Sequence, residues 1–590
     1  MESVRVPKRW QMMPDQTEAA RLLAEETRIP LVLAQLLCNR GVTDAAQARQ
    51  FLSLPLSGLH DPHRLPGVSA AAERLHRAVK DKQRICIYGD YDVDGIAGTT
   101  LLWRCLRLAG GDVDYYVPDR MEEGYGLNVE AIRRLHEQGV QVIATVDCGI
   151  TSVEEARVAR ELGLELIVTD HHEMKAALPD ASVLVHPRLP DSTYPFPQLC
   201  GAGVAFKLAW AICQQLSQAR KVTDAFRAFL LESVALVALG TVADVVPLID
   251  ENRLFVWHGL RSLKEGPSVG LKALLEVTQL NSGKELNAEH IGYTLAPRLN
   301  AAGRLGHARL AIELLGTHSE QRAVDLARYL NEQNERRQTV ERRILAAAKE
   351  QVEASADSAN APALVLADPE WHPGVVGIVA SRLVDRYARP VLLIGGKEDV
   401  RSGSGRSVEG FPLHQALQAC SKHLVTHGGH AMAAGFKVRA EQIDDLREAF
   451  CQQAQQRLQQ SPRQHTLNID AEIALASLTP GLMKGLDALQ PHGFGNRRPL
   501  FLTGGLRLAS EPRKVGGGER HLSFRVKQDT GPTFKAIAFG MAERLEELTS
   551  AEGRCCLVYT PKINHWNGAS SIDLEILDFQ PGPSAQLHSA

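Results

Sequence analysis

The chain has 590 residues, so at about 150 residues per domain it should hold several domains. Apolar residues make up 44% and charged residues 23%, with a mean hydropathy of -0.15, which excludes a fibrous, collagenous or disordered chain. Lys and Arg total 66 against 69 Asp and Glu, a net charge of -3 that excludes a polybasic protein. Any nucleic-acid binding must then come from local basic patches.

None of the ten cysteines stands in a Cys-x-x-Cys pair, which argues against a zinc ribbon or a thioredoxin motif. Scattered cysteines fit a reducing compartment. The segment MESVRVPKRWQMMPDQ lacks the apolar core of a secretory signal, and the most apolar long stretch, Ser233 to Ile249, is interrupted by Asp244 and Pro247. The expectation is a cytoplasmic protein with no membrane association.

Residues 1–65 read as short helices. From Arg84 the pattern becomes short β-branched runs, RICIY, VDYYV, VQVIATV and ELIVT, alternating with helical segments such as Asn128–Gln138 and Ser152–Leu162. This is the signature of βαβ units around a parallel sheet, assigned to residues 66–307. Three of the four runs end at Asp90, at Asp147, or at Asp170 with His171. Strand carboxyl ends line the ligand crevice of open α/β sheets, so these side chains should converge.

A charged helical segment over residues 308–358 is predicted to connect two α/β lobes rigidly; it has no Gly or Pro between Ser319 and Ala361. The second lobe, residues 359–460, has strands at ALVLA and PVLLI and a Gly-rich region from Arg401 to Phe436, read as turns. Residues 461–580 show alternating strands with Gly turns and suggest a small OB-like β-barrel. The tail 581–590 reads as flexible. The fold class is thus α/β, two lobes joined by a long helix, plus a C-terminal β-barrel.

Four acidic segments carry the chemistry. Gly89-Asp90-Tyr91-Asp92-Val93-Asp94-Gly95 leaves a strand and enters a helix, with carboxylates spaced to fan around a cation; no Glu completes an EF-hand. Val146-Asp147-Cys148-Gly149 ends a second strand, and Thr169-Asp170-His171-His172 a third. Asp244 closes an apolar run, where a buried carboxylate is costly unless paired or bound to metal. Hard oxygen ligands with one or two imidazoles suit Mn²⁺ or Mg²⁺ better than zinc. Two such ions about 4 Å apart are the usual apparatus for attack at phosphorus.

Basic residues cluster as well. Arg298, Arg304, His307 and Arg309 form a stretch without an acid, read either as a solvated loop or as a strand-binding one. The small residues of Asn300-Ala-Ala-Gly303 favour the second reading, since they let a phosphate backbone approach. Ser404 and Arg406 lie in a Gly-rich turn whose amides can form an anion nest. Arg120 precedes Gly124-Tyr125-Gly126, where Tyr125 either stacks on a base or packs against its loop. His430 follows Gly428-Gly429 in a turn placed between helical segments. Arg513, Lys514, Arg520 and His521 flank Gly516–Gly518, a loop suited to wrapping a single strand.

Together these motifs resemble the DHH phosphoesterase superfamily: Asp90-Tyr-Asp-Val-Asp-Gly, Asp147, Asp170-His171-His172 and Asp244 match its four motifs in order. Ser402-Gly-Ser-Gly-Arg406-Ser407 and Gly428-Gly429-His430-Ala-Met-Ala-Ala-Gly435 resemble its associated DHHA1 domain. The size, connecting helix and β-domain are similar to the superfamily's bacterial branch of single-strand-specific 5′→3′ exonucleases. That resemblance includes Pro297-Arg298-Leu-Asn300-Ala-Ala-Gly303-Arg304 and Trp371-His372-Pro-Gly.

The resemblance implies release of 5′-mononucleotides from single-stranded DNA in repair and recombination, with two Mn²⁺ or Mg²⁺ ions. Asp92, Asp147, His171 and Asp244 would hold one ion, Asp147 bridging to a second completed by Asp90 and Asp94. His172 would contact the phosphate or the leaving group, or orient a ligand. Arg120, Ser404 and Arg406 would bind the terminal 5′-phosphate. Tyr88 stands where many members carry a His ligand, and a phenol with a pKa of about 10 is a poor ligand for these ions. Either Asp90 takes that place, or the second ion binds weakly and arrives with substrate. Expected partners are single-stranded DNA, a single-strand-binding protein and a DNA helicase, the chain acting as a monomer. The rival enzyme reading is a phosphoesterase for short oligonucleotides or cyclic dinucleotides; it leaves the β-domain unexplained. A non-catalytic scaffold would not need the intact carboxylates.

Overall fold

The computed structural model describes residues 8–119, 123–124, 126–281, 285–304, 307–354, 361–458, 466–566 and 569–587. The chain divides into two compact units, one of residues 60–246 and 258–463, the other of 1–59, 247–257 and 464–590.

The first unit holds both α/β lobes. Its parallel sheet runs in the order Val113–Tyr116, Ile85–Gly89, Val142–Val146, Glu165–Thr169, Val183–Val185. Every residue of Ile85–Gly89 and of Val142–Val146 is buried, as expected of central strands covered on both faces. Threonines lock the strand ends that carry the acidic motifs. Thr169 donates through Oγ1 to the Thr145 carbonyl at 2.6 Å, and Thr145 donates to the Cys148 carbonyl at 2.7 Å. The helix Asp224–Ala243 is apolar and long enough to cross a membrane by composition, yet its second half, Ser233 to Thr241, is buried inside this unit.

The expected connector is two helices, Ala308–Gly316 and Glu320–Ala354. The second has 35 residues, roughly 50 Å at 1.5 Å per residue. Its buried residues begin with Ala323, Leu326 and Leu330 and end with Ile344, Ala348 and Val352, which share a core with Trp371, Val375 and Val379 of the second lobe.

Two local expectations are corrected. The Gly-rich region read as turns forms strands Val400–Arg406, Thr426–Gly429 and Ala433–Arg439 of a mixed sheet completed by Leu364–Asp368 and Val391–Gly395. Its glycines serve packing: a Cβ on Gly403 would lie 2.2 Å from the Phe436 ring. The basic stretch read as a loop is instead helical over Ala296–Arg304.

In the second unit, strands Phe501–Val515, His521–Gln528, Thr533–Ala538, Ala569–Pro581 and Arg554–Trp566 lie in that order, and the first pairs again with the last. The sheet thereby returns on itself. The N-terminal helices share its core, with Leu33, Leu36 and Leu37 in one cluster with Phe501, Phe524 and Leu557. Strand Arg9–Met12 pairs in parallel with Thr466–Ile469. Arg253 ties the unit together, donating to the Phe51 carbonyl and to those of Ala488 at 2.9 Å and Gln490 at 2.8 Å.

Candidate active site

The acidic side chains converge because each leaves the same edge of the parallel sheet or the helix end beside it. Asp92 caps the helix Val93–Leu108, its Oδ1 accepting from the Asp94 amide at 3.0 Å and the Gly95 amide at 3.1 Å. Asp147 sits in the left-handed region with φ of 66°, a conformation that asparagine and aspartate tolerate better than other side chains and that turns its carboxylate inward. Asp244 ends the helix Asp224–Ala243. Ligand-type atoms of Asp90, Asp92 and Asp147, of Asp94, His171 and Asp244, and of Asp147, His171 and His172 lie within 4.8 Å of one another in each group. All seven residues expected at the centre are therefore brought together.

His171 is the hub. Its Nε2 lies 3.1 Å from Asp147 Oδ1, 3.6 Å from Asp244 Oδ2 and 3.8 Å from Asp94 Oδ2. That nitrogen is buried and makes no hydrogen bond among the described residues. Burial pushes the imidazole down to about 4, so the ring is neutral and its lone pair is available. Burial and the neighbouring carboxylates push Asp147 and Asp244 well above the usual range, and burial raises Asp94 too. A neutral imidazole among crowded carboxylates is a donor set for a hard divalent cation, so these residues fit Mn²⁺ or Mg²⁺.

Asp94 differs from the other expected ligands. Its two oxygens accept from the Gly201 amide at 2.6 Å and the Ala202 amide at 2.9 Å, at the start of the helix Gly201–Ser217. A Cβ on Gly240 would sit 2.2 Å from Asp94 Oδ1, so only glycine lets the helix Asp224–Ala243 pass. Tyr88 is buried and points elsewhere: its hydroxyl donates to the Gly126 carbonyl and accepts from Asn128 Nδ2, both at 3.1 Å. It braces the loop beyond the centre.

Asp170 was expected to converge with the other strand-end residues but was assigned no role, and the structure gives it one. It accepts from the amides of Ile150 at 2.9 Å, His171 at 2.7 Å and His172 at 3.2 Å, and pairs with His172 Nδ1 at 2.8 Å. Burial alone would raise this carboxyl, yet these hydrogen bonds hold it at about 2. Burial likewise lowers His172, but its bond to Asp170 outweighs that and raises the ring to about 9. The pair leaves a neutral His171 beside a cationic His172. Its position directly before the two histidines was the available signal.

The strand-binding candidates fall out less uniformly. Asn300 Oδ1 accepts from the Val93 amide at 3.1 Å, and a Cβ on Gly303 would lie 2.3 Å from the Tyr91 carbonyl. The small residues of this segment thus admit the protein's own acidic turn, not a phosphate backbone. Arg298 donates to Asn331 Oδ1 at 2.9 Å and to the Thr294 carbonyl at 2.6 Å, joining its helix to the long connector. Ser404 and Arg406 lie on a strand paired on both sides, so no amide nest exists there. Their side chains meet, Arg406 Nη1 to Ser404 Oγ at 3.1 Å, across from Gly377 of the helix Pro373–Tyr387. His430 follows a strand rather than a helix, in the turn to Ala433–Arg439, with Nδ1 3.8 Å from Glu173 Oε2. Arg120, Tyr125 and the Arg304 side chain lie outside the described residues. A cleft of about 890 Å³ opens from Asp170 and His172 and is walled on the second lobe by His414, His427 and His430.

Comparison with known proteins places this geometry. Residues 84–241 match the DHH family, N-terminal domain, residues 360–456 the DHHA1 domain, and residues 469–578 the RecJ OB domain. The single-stranded-DNA-specific exonuclease RecJ of Escherichia coli is 36% identical over 577 residues, 96% of this chain and 98% of that one. The chain belongs to the RecJ family. The RecJ of Bacillus subtilis is 37% identical over 97% of this chain and 70% of its own length. Among solved structures, RecJ from Thermus thermophilus in complex with Mn²⁺ superposes with a TM-score of 0.83 at 32% identity, covering 100% of this chain and 81% of that one. The same protein in complex with Mg²⁺ gives a TM-score of 0.76 at 30% identity, over 98% and 79%. The OB-like barrel and the two lobes expected from sequence are thus those of RecJ proteins, and the centre is that of a metal-dependent hydrolase using Mn²⁺ or Mg²⁺.

Proposed function

We propose that this chain degrades single-stranded DNA from its 5′ end, releasing 5′-mononucleotides by hydrolysis of the terminal phosphodiester. The observation that carries the reading is the buried, hydrogen-bond-free Nε2 of His171 among carboxylates, in a chain similar to RecJ proteins along nearly its whole length. Asp90, Asp92, Asp147, His171 and Asp244 would hold the metal, with Asp94 adding charge while anchoring the helix Gly201–Ser217. When bound, divalent ions supply Lewis acidity and make water acidic enough to be a nucleophile at neutral pH.

The remaining steps belong to this chain's own side chains. His172, kept cationic by Asp170, contacts the scissile phosphate and offsets charge developing on it. Ser404 and Arg406 bind the terminal 5′-phosphate, joined by Arg120, and so set polarity. Tyr125 would stack on a base, His430 would contact the strand, and Arg304 would bind its backbone. Arg298 and Asn300 hold the acidic turn against the connecting helix. The protein would act in the cytoplasm as a monomer, in repair and recombination, with a single-strand-binding protein and a helicase supplying accessible strand.

The test uses an internally labelled, 5′-phosphorylated single strand with Mn²⁺. Progressive mononucleotide release is expected, absent on duplex and with Asp147→Ala, and Arg406→Ala should lose its preference for 5′-phosphorylated over 5′-hydroxyl ends. Cleavage confined to very short oligonucleotides would point to the small-substrate phosphoesterase instead. An Arg406→Ala enzyme keeping full 5′-phosphate preference would sink the polarity assignment.

A further inference from the structure

Beside the long helix Glu320–Ala354 lies a separate cavity of about 380 Å³, lined among others by His307, Tyr329, Glu332, Arg336, Arg337 and His372. None of these residues belongs to the acidic centre. At the small end of ligand pockets, about 300–1,000 Å³, its volume suits one nucleotide.

Its walls combine what a nucleotide needs. The rings of His307 and Tyr329 meet edge to face at 6.0 Å and offer aromatic surface. Arg337 is held in place, with Nη1 3.2 Å from Glu341 Oε2 and Nη2 donating to Asn334 Oδ1 at 3.0 Å, while its Nε is buried and donates to nothing among the described residues. Glu341, almost fully buried, is shared with Arg382 at 2.6 Å, so that carboxylate does not cancel the positive charge. Arg336 is exposed at the rim, and Glu332 is the one carboxylate among the lining residues. Two guanidiniums against one carboxylate leave the cavity positive. His372 closes the far side; its Nδ1 accepts from the Gly374 amide at 3.1 Å.

Location ties the cavity to the strand. The helix Ala296–Arg304, which ends just before His307, touches the acidic turn through Asn300 and the connecting helix through the Arg298–Asn331 bond. The helix that His372 caps faces Ser404 and Arg406 through Gly377. The cavity is therefore bordered by His307, just past the helix that carries Arg298 and Asn300, and by the helix that faces Ser404 and Arg406. Resting on the function proposed above, we infer that it holds one nucleotide of the strand away from the scissile bond, with Arg336 and Arg337 on its phosphate and Tyr329 and His307 against its base. Base–aromatic stacking is worth about 1–3 kcal/mol per base and tolerates any sequence.

The experiment compares wild type, Arg336→Glu and Tyr329→Ala, as full chains with Mn²⁺, on a 5′-phosphorylated trinucleotide and on a long single strand. For the long strand each substitution should raise KM about tenfold with kcat held, matching loss of one stack or phosphate contact. The inference places the cavity beyond the reach of the trinucleotide, which should therefore be cleaved as by wild type. Arg336→Gln should also reduce the salt slope of strand affinity by about 0.7. Equal effects on both substrates, or none on either, would overturn the inference. So would inhibition of trinucleotide cleavage by free dTMP that Arg336→Glu relieves, since the occupant would then be the product. Anisotropy of a labelled long strand decides the inference independently of turnover: equal affinity for wild type and Arg336→Glu overturns it. Failure of wild type to cleave any strand would count against the proposed function alone.

Discussion

The side-chain oxygen of Asn300 accepts a hydrogen bond from the Val93 amide at 3.1 Å, across 207 residues of sequence. The amide it takes is one of the free donors at the start of the helix that Asp92 caps, so the acidic turn is held from both sides. Asn300→Ala should destabilise the protein by about 1 kcal/mol, as for a lost helix cap. It should also weaken Mn²⁺ binding by about tenfold or more, the usual consequence of removing an outer partner of a metal ligand. Metal titration of turnover checks this; unchanged Mn²⁺ dependence would make the contact purely structural.

The Asp170–His172 pair predicts a pH signature. The bond to Asp170 raises His172 to about 9 in the metal-free protein, so a rate that depends on the imidazolium should hold through neutrality and fall only on the alkaline side. Without the Asp170 carboxylate, the lowering effect of burial is less opposed and the ring is drawn down. Asp170→Asn should therefore move the alkaline limb of the kcat profile to lower pH, measured at saturating metal. A profile that merely scales down would show that the His172 charge is not used.

The crowded carboxylates make a stability prediction. Asp94, Asp147 and Asp244 are raised in the folded state, so between the ordinary carboxylate range and their raised values the folded protein binds more protons than the unfolded chain. The stability these three groups contribute to the metal-free protein is then present below about pH 4 and lost as pH rises through their raised values. Differential scanning calorimetry should show this loss, and Mn²⁺ should raise Tm more at pH 8 than at pH 6. Asp147→Asn should raise the metal-free Tm at pH 8 while abolishing turnover. A lower Tm there would contradict the repulsion argument.

Trp10 is fully buried, and its indole N–H donates to Asp578 Oδ2 at 2.8 Å, joining the first strand to the last. Trp10→Ala should cost about 3–5 kcal/mol, the range for deleting a large core aromatic. Asp578 keeps its bond from Arg544, so the carboxylate is not stranded. The calorimetric transition of the unit containing Trp10 should move down while Mn²⁺ still stabilises the protein. Loss of the Mn²⁺ effect would show the two units to be thermodynamically one.

Much of the fold was legible because it rests on local periodicity. The runs around Ile87, Ala144 and Ile167 are uniformly apolar because both faces of a parallel sheet are covered, and the acidic motifs stand where those runs stop. Strand-end position drew Asp90, Asp147 and His171 together with hard-cation chemistry, and the resemblance carried by motif order added Asp92, His172 and Asp244 to the same centre. The alternating strands after residue 465 likewise announce a barrel.

Tertiary contact decided the rest. Glycine reads locally as a turn, yet Gly403 is in a strand because the Phe436 ring occupies the space a Cβ would need. The small residues around Gly303 read as room for phosphate, whereas the Tyr91 carbonyl fills it. Asp94 reads like any other carboxylate of its motif until the amides of Gly201 and Ala202 claim both oxygens. The pairing of Arg9–Met12 with Thr466–Ile469 spans more than four hundred residues, and no spacing rule reaches that far. Sequence determines which chemistry is available at each strand end, through side-chain type and short-range period. Which oxygen is spent on a neighbouring amide and which remains for a metal is set only when distant segments pack, because hydrogen-bond satisfaction and steric exclusion are properties of the folded whole.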